Sequence, residues 1–319
     1  MSAMKALVTG AAGFIGSNLC EKLIAEGYEV VGVDNLSTGS MENIQPFVKD
    51  MDFNEVNVCH RGVMRRLMAG VDIVFHEAAL GSVPRSVADP LASHQNNVDG
   101  TLSVLDAARD AGVARVVFAS SSSVYGGGVL CAEGDELIPR SPYAATKVAG
   151  EAYCKAYSAS FGLETVCLRY FNVYGPRQNP EGPYAAVIPK FIMAQRSKQP
   201  MTIFGDGKAK RDFTFIEDVV KANLLAAQPG RTVAGMAFNV CSGMATPVQQ
   251  LAEDLTLVFR GSDAAISYLE PRAGDVEYSK GDPSKAQRVL GFKTSIELQV
   301  GLARTVKWFS LNQFIHQRD

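Results

Sequence analysis

Residues 5–20 read KALVTGAAGFIGSNLC, and this stretch decides the fold. Ala6-Leu-Val-Thr9 is a short apolar run of the kind that forms a buried parallel strand. Gly10, Gly13 and Gly16 then turn the chain directly into a helix whose face carries Ile15, Leu19, Leu23 and Ile24. Glycines in such a turn reach backbone angles closed to other residues and let a phosphate approach the main chain. The free N–H groups at the helix start, with the positive end of its dipole, suit a pyrophosphate. The spacing is GxxGxxG rather than GxGxxG, so alone it is a weak signal. Context strengthens it: a strand before, a helix after, and a second strand, Glu29-Val-Val-Gly-Val33, that ends in Asp34. A carboxylate there accepts both hydroxyls of an adenosine ribose. It would also repel a 2′-phosphate, which predicts NAD rather than NADP.

Outward from this turn, strand and helix signals alternate through the first half. They predict an α/β fold, a doubly wound parallel Rossmann sheet with a smaller C-terminal α/β lobe. Further strands are expected at 52–58, 71–76, 115–119 and 163–170, with a long helix over about 91–111 and another beginning near Ser141-Pro142. After Asn172 proline and glycine become denser and the elements shorter. Helices are expected at 185–198, 217–228, 248–259, 283–290 and 296–311, and strands near 202–204, 213–216, 237–240 and 265–269. The expected organisation is a dinucleotide-binding domain over 1–171 and a substrate lobe over 172–319, with 213–240 returning to the first sheet. Ligands of such sheets lie beyond the carboxyl ends of the strands, where the glycine turn, Asp34, Ala78–Ser82, the serines at 120–123 and Asn172 all fall.

Composition excludes several classes. At 319 residues with 47% hydrophobic and 20% charged, the chain can bury a substantial core. A net charge of −2 offers no electrostatic case for nucleic acid or a membrane surface. Cys20, Cys59, Cys131, Cys154, Cys167 and Cys241 include no CxxC pair, which points to reduced thiols in a cytoplasm rather than zinc or disulfides. His60, His76, His94 and His316 lack ligand spacing, so no metal is expected. No signal peptide or membrane span is expected either.

The chemistry concentrates in Tyr143-Ala-Ala-Thr-Lys147. Ser141 is a plausible helix cap and Pro142 stands at a favoured first position. A spacing of four puts phenol and ammonium on one helix face. A phenol with a pKa near ~10 is no base at neutral pH. A neighbouring ammonium, and a positively charged nicotinamide, are expected to lower that value. A hydroxyl from the serines at the end of the fifth strand can complete the hydrogen bonding to a substrate oxygen. Taken alone, Tyr143 reads as a core aromatic and Lys147 as a solvated lysine; the glycine turn upstream gives them a site to serve.

The sequence resembles the extended short-chain dehydrogenase/reductases, specifically the NAD-dependent nucleotide-sugar epimerases and dehydratases. The resemblance runs over nearly the whole chain. It includes Gly10-xx-Gly13-xx-Gly16, Asp34-Asn35-Leu36, His76-Glu-Ala-Ala79, Asn96-Asn-Val-Asp-Gly-Thr101, Ser120-Ser121 before Val124-Tyr-Gly126, and Tyr143-xxx-Lys147. It continues through Arg169-Tyr-Phe-Asn172, Tyr174-Gly-Pro-Arg177, Arg211-Asp212 and Arg272-xx-Asp275. It implies that Ser121, Tyr143 and Lys147 form the catalytic trio. It also implies NAD contacts from Gly10, Gly13, Phe14, Ile15, Gly16, Asp34, Asn35, Ala78, Ala79, Asn96, Tyr143, Lys147 and Phe171. Asn57 and Val58 stand where the family commonly has aspartate and an apolar residue near adenine. Asn172, Arg211, Arg272 and Asp275 are implied to hold the nucleotide diphosphate, and a homodimer is implied through the helices at 91–111 and 142–160.

The resemblance narrows the reaction. A 4,6-dehydratase carries Asp-Glu directly after the strand-five hydroxyl, where this chain has Ser122 and Ser123. Glucuronate 4-epimerases tend to carry Thr where Asn172 stands and Arg where Asn179 stands, so an acidic sugar lacks a partner, and an unpaired buried carboxylate is expensive. Gly81-Ser-Val-Pro-Arg-Ser86, with Ser82 at its start, and Gly182 to Lys190 look like the epimerases acting on UDP-N-acetylglucosamine. Ser279 matches a gate beside the sugar 2-substituent, where a small side chain leaves room for acetamido. The reading is an NAD-dependent UDP-hexose 4-epimerase of UDP-GlcNAc/UDP-GalNAc, with UDP-Glc/UDP-Gal as a further expected pair. A glucuronate epimerase, dehydratase or decarboxylase is the alternative within the family, and a silent NAD(H)-sensing protein the alternative outside it.

Overall fold

Apolar runs separated by helices produce the central layer of the molecule. A computed structural model describes residues 3–181, 185–259, 265–271 and 276–312. In chain order its elements begin β1 (Lys5–Thr9), α1 (Phe14–Ala25), β2 (Glu29–Asp34), β3 (Asp52–Glu55), α2 (Arg61–Leu67) and β4 (Ile73–His76). Then come α3 (Val83–Ala88), α4 (Pro90–His94), α5 (Gly100–Ala111), β5 (Arg115–Ser121), β6 (Gly128–Cys131), α6 (Pro142–Phe161) and β7 (Glu164–Tyr170). The later chain holds β8 (Val173–Tyr174), α7 (Val187–Arg196), β9 (Met201–Phe204), β10 (Lys210–Asp212), β11 (Thr214–Phe215), α8 (Ile216–Ala227) and β12 (Met236–Val240). It closes with β13 (Ala245–Pro247), α9 (Val248–Val258), β14 (Ile266–Leu269), β15 (Tyr278–Gly281), α10 (Ser284–Leu290) and α11 (Leu298–Leu311).

Seven strands form one parallel sheet in the order β12-β7-β5-β4-β1-β2-β3. The chain winds outward from β1 to β3, returns to β4 and winds outward the other way, so the reversal falls between β1 and β4. A crevice opens at such a reversal. Alternation along each strand divides the core between two faces. Ala6 and Val8 face Leu19 and Leu23 of α1 and Val219 and Ala222 of α8. Leu7 and Val74 face Leu105 and Ala108 of α5 and Cys154 of α6. This is the doubly wound sheet expected from the alternating pattern.

A smaller mixed sheet, β13-β10-β15-β6, stands beside it. The two halves exchange strands. β12 pairs with β7 in the large sheet, while β6, from the first half, pairs with β15 in the small one. No helix of the described residues is long and apolar enough to cross a membrane.

Two expected elements differ. The helix over 91–111 is α4 and α5 joined by a π-helical turn at Gln95–Asp99. A wide turn of this kind displaces one residue from the helical register. Here it accompanies Asn97, whose amide accepts from Leu80 N (2.8 Å) and donates to Leu80 O (3.3 Å) and Thr146 Oγ1 (3.1 Å). The strand expected to reach Val58 stops at Glu55, because Asn57 turns the chain: its Oδ1 accepts from Cys59 N and its carbonyl from His60 N.

Candidate active site

A cleft of about 770 Å³ lies at the carboxyl edge of the large sheet and extends to the small one. Its cofactor-sized end is built on the glycine turn. Gly10 has φ +70, and a Cβ there would stand 2.9 Å from Ala78 N. At Gly16 a Cβ would fall on the Gly10 carbonyl. Gly13 precedes α1 with no side-chain cap, so no side chain takes the N–H groups that face the cleft. Phe14, Ile15, Asn35, Val58, Ala78, Ala79 and Asn96 line the same end. Asp34 Oδ2 accepts from Ala12 N at 3.0 Å and Oδ1 from Leu36 N at 2.7 Å. Burial raises the Asp34 carboxyl above its ordinary value, and these backbone donors work against that rise.

Two expected contacts fall elsewhere. Asn57 spends its amide oxygen on Cys59 and is not among the cleft-lining residues. The Phe171 side chain is fully buried beneath the cleft with Val124, Tyr125, Cys131 and Cys241.

The reactive end is assembled by α6 and β5. Ser141 caps the helix, its Oγ accepting from Ala144 N at 3.1 Å, and Pro142 takes the first turn. Tyr143 and Lys147 share the cleft-facing side, with Lys147 Nζ 5.9 Å from the Tyr143 ring centroid. The strand decides between two adjacent serines. Both line the cleft, but the buried Ser120 donates to Glu151, whereas Ser121 accepts from Ser123 N at 3.2 Å and hydrogen-bonds Tyr143. The phenol is raised in this arrangement, not lowered as expected. Burial pushes Tyr143 up, the Ser121 hydrogen bond opposes it, and the negative charge of Glu77 adds to it. Lys147 instead donates to Ala119 O at 2.7 Å, against the sheet. Burial lowers the ammonium to about 8, with Glu77 resisting that change.

Gly81, Ser82, Ser122, Ser123, Asn172, Arg211 and Ser279 line the remaining wall. Ser82 Oγ accepts from Arg85 N and so caps α3. The Ser123 hydroxyl is buried with no partner among the described residues. Asn172 adopts φ +31 and donates from Nδ2 to Asp212 O at 2.8 Å. Arg211 and Ser279 are paired residues of β10 and β15. Behind them Asp212 accepts from Ser242 N, Ser242 Oγ, Gly243 N and Gly281 N, which holds three segments of the later chain together. Arg272 and Asp275 lie outside the described residues.

With this geometry in place, the family model described as the NAD dependent epimerase/dehydratase family matches residues 6–241. The chain belongs to this family. It is 39% identical to the UDP-glucose 4-epimerase of Mycolicibacterium smegmatis, over 96% of this chain and 98% of that one. It is 32% identical to the UDP-N-acetyl-alpha-D-glucosaminuronate decarboxylase of Bacillus cytotoxicus, over 96% of this chain and 97% of that one. Among solved structures it is similar to the UDP-N-acetylglucosamine 4-epimerase from Methanobrevibacter ruminantium M1, crystallised in complex with UDP-N-acetylmuramic acid. There the identity is 39%, the TM-score 0.92, and the match covers 98% of this chain and 99% of that one.

NAD is the cofactor of the epimerase/dehydratase family, and the residues present fit it. The cleft has a glycine floor that any Cβ would obstruct, an uncapped helix start for phosphate, and a buried carboxylate for ribose hydroxyls. The structure also brings in residues that sequence reasoning passed over. Glu77 lines the cleft, and its Oε1 accepts from Tyr170 OH at 2.8 Å. Arg177 ties the loop after β8 to α1 through Glu21 at 2.9 Å. Both sit inside motifs already noted, His76-Glu-Ala-Ala79 and Tyr174-Gly-Pro-Arg177. Only the signal that their side chains reach the cleft or α1 was missing.

Proposed function

We propose that this protein is a UDP-hexose 4-epimerase that interconverts UDP-GlcNAc and UDP-GalNAc and also accepts UDP-Glc and UDP-Gal. The observation that carries this reading is the reactive wall itself. Ser121, Tyr143 and Lys147 meet there, and the two residues after Ser121 bring hydroxyls, Ser122 and Ser123, instead of an acid–base pair of carboxylates. When bound, NAD supplies a hydride acceptor for C4 and returns that hydride to the ketone. Tyr143 takes the proton of the sugar 4-hydroxyl at its phenolic oxygen and gives it back at the end. Ser121 hydrogen-bonds the same substrate oxygen and orients it. Lys147, anchored on Ala119 O, supplies the positive charge that a phenolate needs. Arg211 and Asn172 hold the diphosphate, as do Arg272 and Asp275, while the sugar, held by few polar groups, turns its other face to the cofactor. Ser279 leaves space at the 2-position.

Its binding partner is thus a UDP-sugar, its setting the cytoplasm, and its assembly a homodimer. Exposed Leu91 at the start of the 91–111 helix and Phe161 at the end of α6 support pairing through the helices at 91–111 and 142–160. Incubating the NAD-loaded protein separately with UDP-GlcNAc, UDP-Glc and UDP-glucuronate and resolving the products tests the reading. The expected result is the C4 epimer of the neutral sugars with no change in mass. Loss of water or carbon dioxide, or turnover of the acid alone, would overturn it.

A further inference from the structure

Glu77 is a carboxyl group inside the reactive wall that the reaction above does not use. It follows β4 directly and lines the cleft with Lys147, Tyr143 and Tyr170. Tyr170 OH donates to its Oε1 at 2.8 Å, and Asn223 Nδ2 donates to that phenolic oxygen, also at 2.8 Å. The Asn223 amide therefore commits the Tyr170 proton to Glu77, and the carboxylate is held as an acceptor. Its other oxygen, Oε2, is buried with no hydrogen-bond partner. A buried carboxylate oxygen left this way is costly, so a compensating role at this site is called for.

The groups facing Glu77 come from four elements: Tyr170 from β7, Lys147 and Tyr143 from α6, Asn223 from α8 and the Cys20 thiol from α1. Lys147 is the cation among them. Glu77 favours the ammonium form of Lys147 and disfavours the phenolate form of Tyr143. The carboxyl itself is raised to about 7 by burial, against the Tyr170 hydrogen bond and the Lys147 charge.

We propose that Glu77 is a positioning residue for the reaction, a counter-charge that keeps Lys147 ionised and Tyr143 protonated until NAD is in place. This rests on the assignment of Ser121, Tyr143 and Lys147 made above. The charges balance at each stage. Glu77 and Lys147 cancel while Tyr143 is neutral. The positive ring of bound NAD adds one charge, and the phenol proton passes to solvent to restore neutrality. When that ring becomes neutral by accepting hydride, Tyr143 has gained the proton of the substrate hydroxyl. The ionised base therefore exists only where oxidised cofactor is present.

The test titrates Tyr143 by its phenolate absorbance in NAD-loaded protein without sugar, with Tyr143→Phe as the blank. Glu77→Gln should move the midpoint to lower pH by about half a unit to one unit. Both limbs of the profile of kcat against pH should move the same way, because Lys147 also loses its counter-charge. Glu77→Asp should recover part of both shifts. Lost turnover with an unmoved midpoint and unmoved limbs would make Glu77 merely structural and overturn the proposal. Should Glu77→Gln fail to fold, Tyr170→Phe keeps the carboxyl but removes its donor, so the carboxyl takes up a proton more readily. Its midpoint should move in the same direction, and an unmoved one overturns the proposal. The titration needs no turnover, so it separates this idea from the choice of substrate, which the product assay decides.

Discussion

Tyr143 shows what spacing can and cannot reveal about a single residue. Four positions from Lys147, it had to share a helix face with the ammonium, and it does. Its ionisation was not legible, because burial and the charge on Glu77 come from parts of the chain far away in sequence. Tyr143→Phe removes the proton acceptor while keeping the ring. It should lower turnover by about 10²-fold or more with folding intact, as read by steady-state kinetics and circular dichroism; unchanged turnover would remove Tyr143 from the mechanism. Ser279 belongs to the same scale. It stands in the cleft wall opposite Arg211 in the β10–β15 register. Ser279→Tyr should fill the space beside the sugar 2-position, reducing kcat/KM for UDP-GlcNAc much more than for UDP-Glc. Equal losses on the two sugars would defeat the gate.

At the scale of elements, α6 carries the reactive pair and is pinned to the sheet by ion pairing. Glu151 on α6 accepts from Arg169 on β7 at 2.9 Å and 2.7 Å, and both residues are buried. Arg169 also donates to Tyr125 OH at 2.7 Å, so the network reaches the turn after β5. Glu151→Ala would leave the guanidinium buried without its counter-charge. It should cost about 3–5 kcal/mol of stability, measured by urea unfolding, and a cost near zero would mean the pair does not pin the helix. Helix and strand positions followed well from periodicity and capping residues, as Ser141 and Pro142 illustrate. The π turn at 95–99 did not, since it answers to the Leu80 loop that Asn97 holds.

Across the whole molecule the cleft is shared property. One wall lies at the parallel sheet and the other at the smaller sheet, and β6 and β12 cross between the two. With Asp34 proposed to take the ribose hydroxyls, its charge would meet a 2′-phosphate, so NAD should raise the melting temperature and NADP should not. At a hundredfold excess over its dissociation constant NAD would contribute about 2.7 kcal/mol; equal shifts from both nucleotides would contradict the assignment to Asp34. Sedimentation should give twice the chain mass, and a monomer at micromolar concentration would exclude pairing through the helices at 91–111 and 142–160.

By itself the sequence determined the doubly wound sheet, the glycine cradle and the Tyr143–Lys147 face. Each of these shows in the sequence as a pattern read over a few residues at a time, where backbone geometry and helical or strand repeat leave their mark. Tertiary structure alone decided that Ser120 gives its hydroxyl to Glu151, that Asn57 is left out of the cleft lining, and that Glu77 joins it. Those outcomes depend on which segments the fold brings within hydrogen-bond and Coulomb range, and no local repeat encodes that distance.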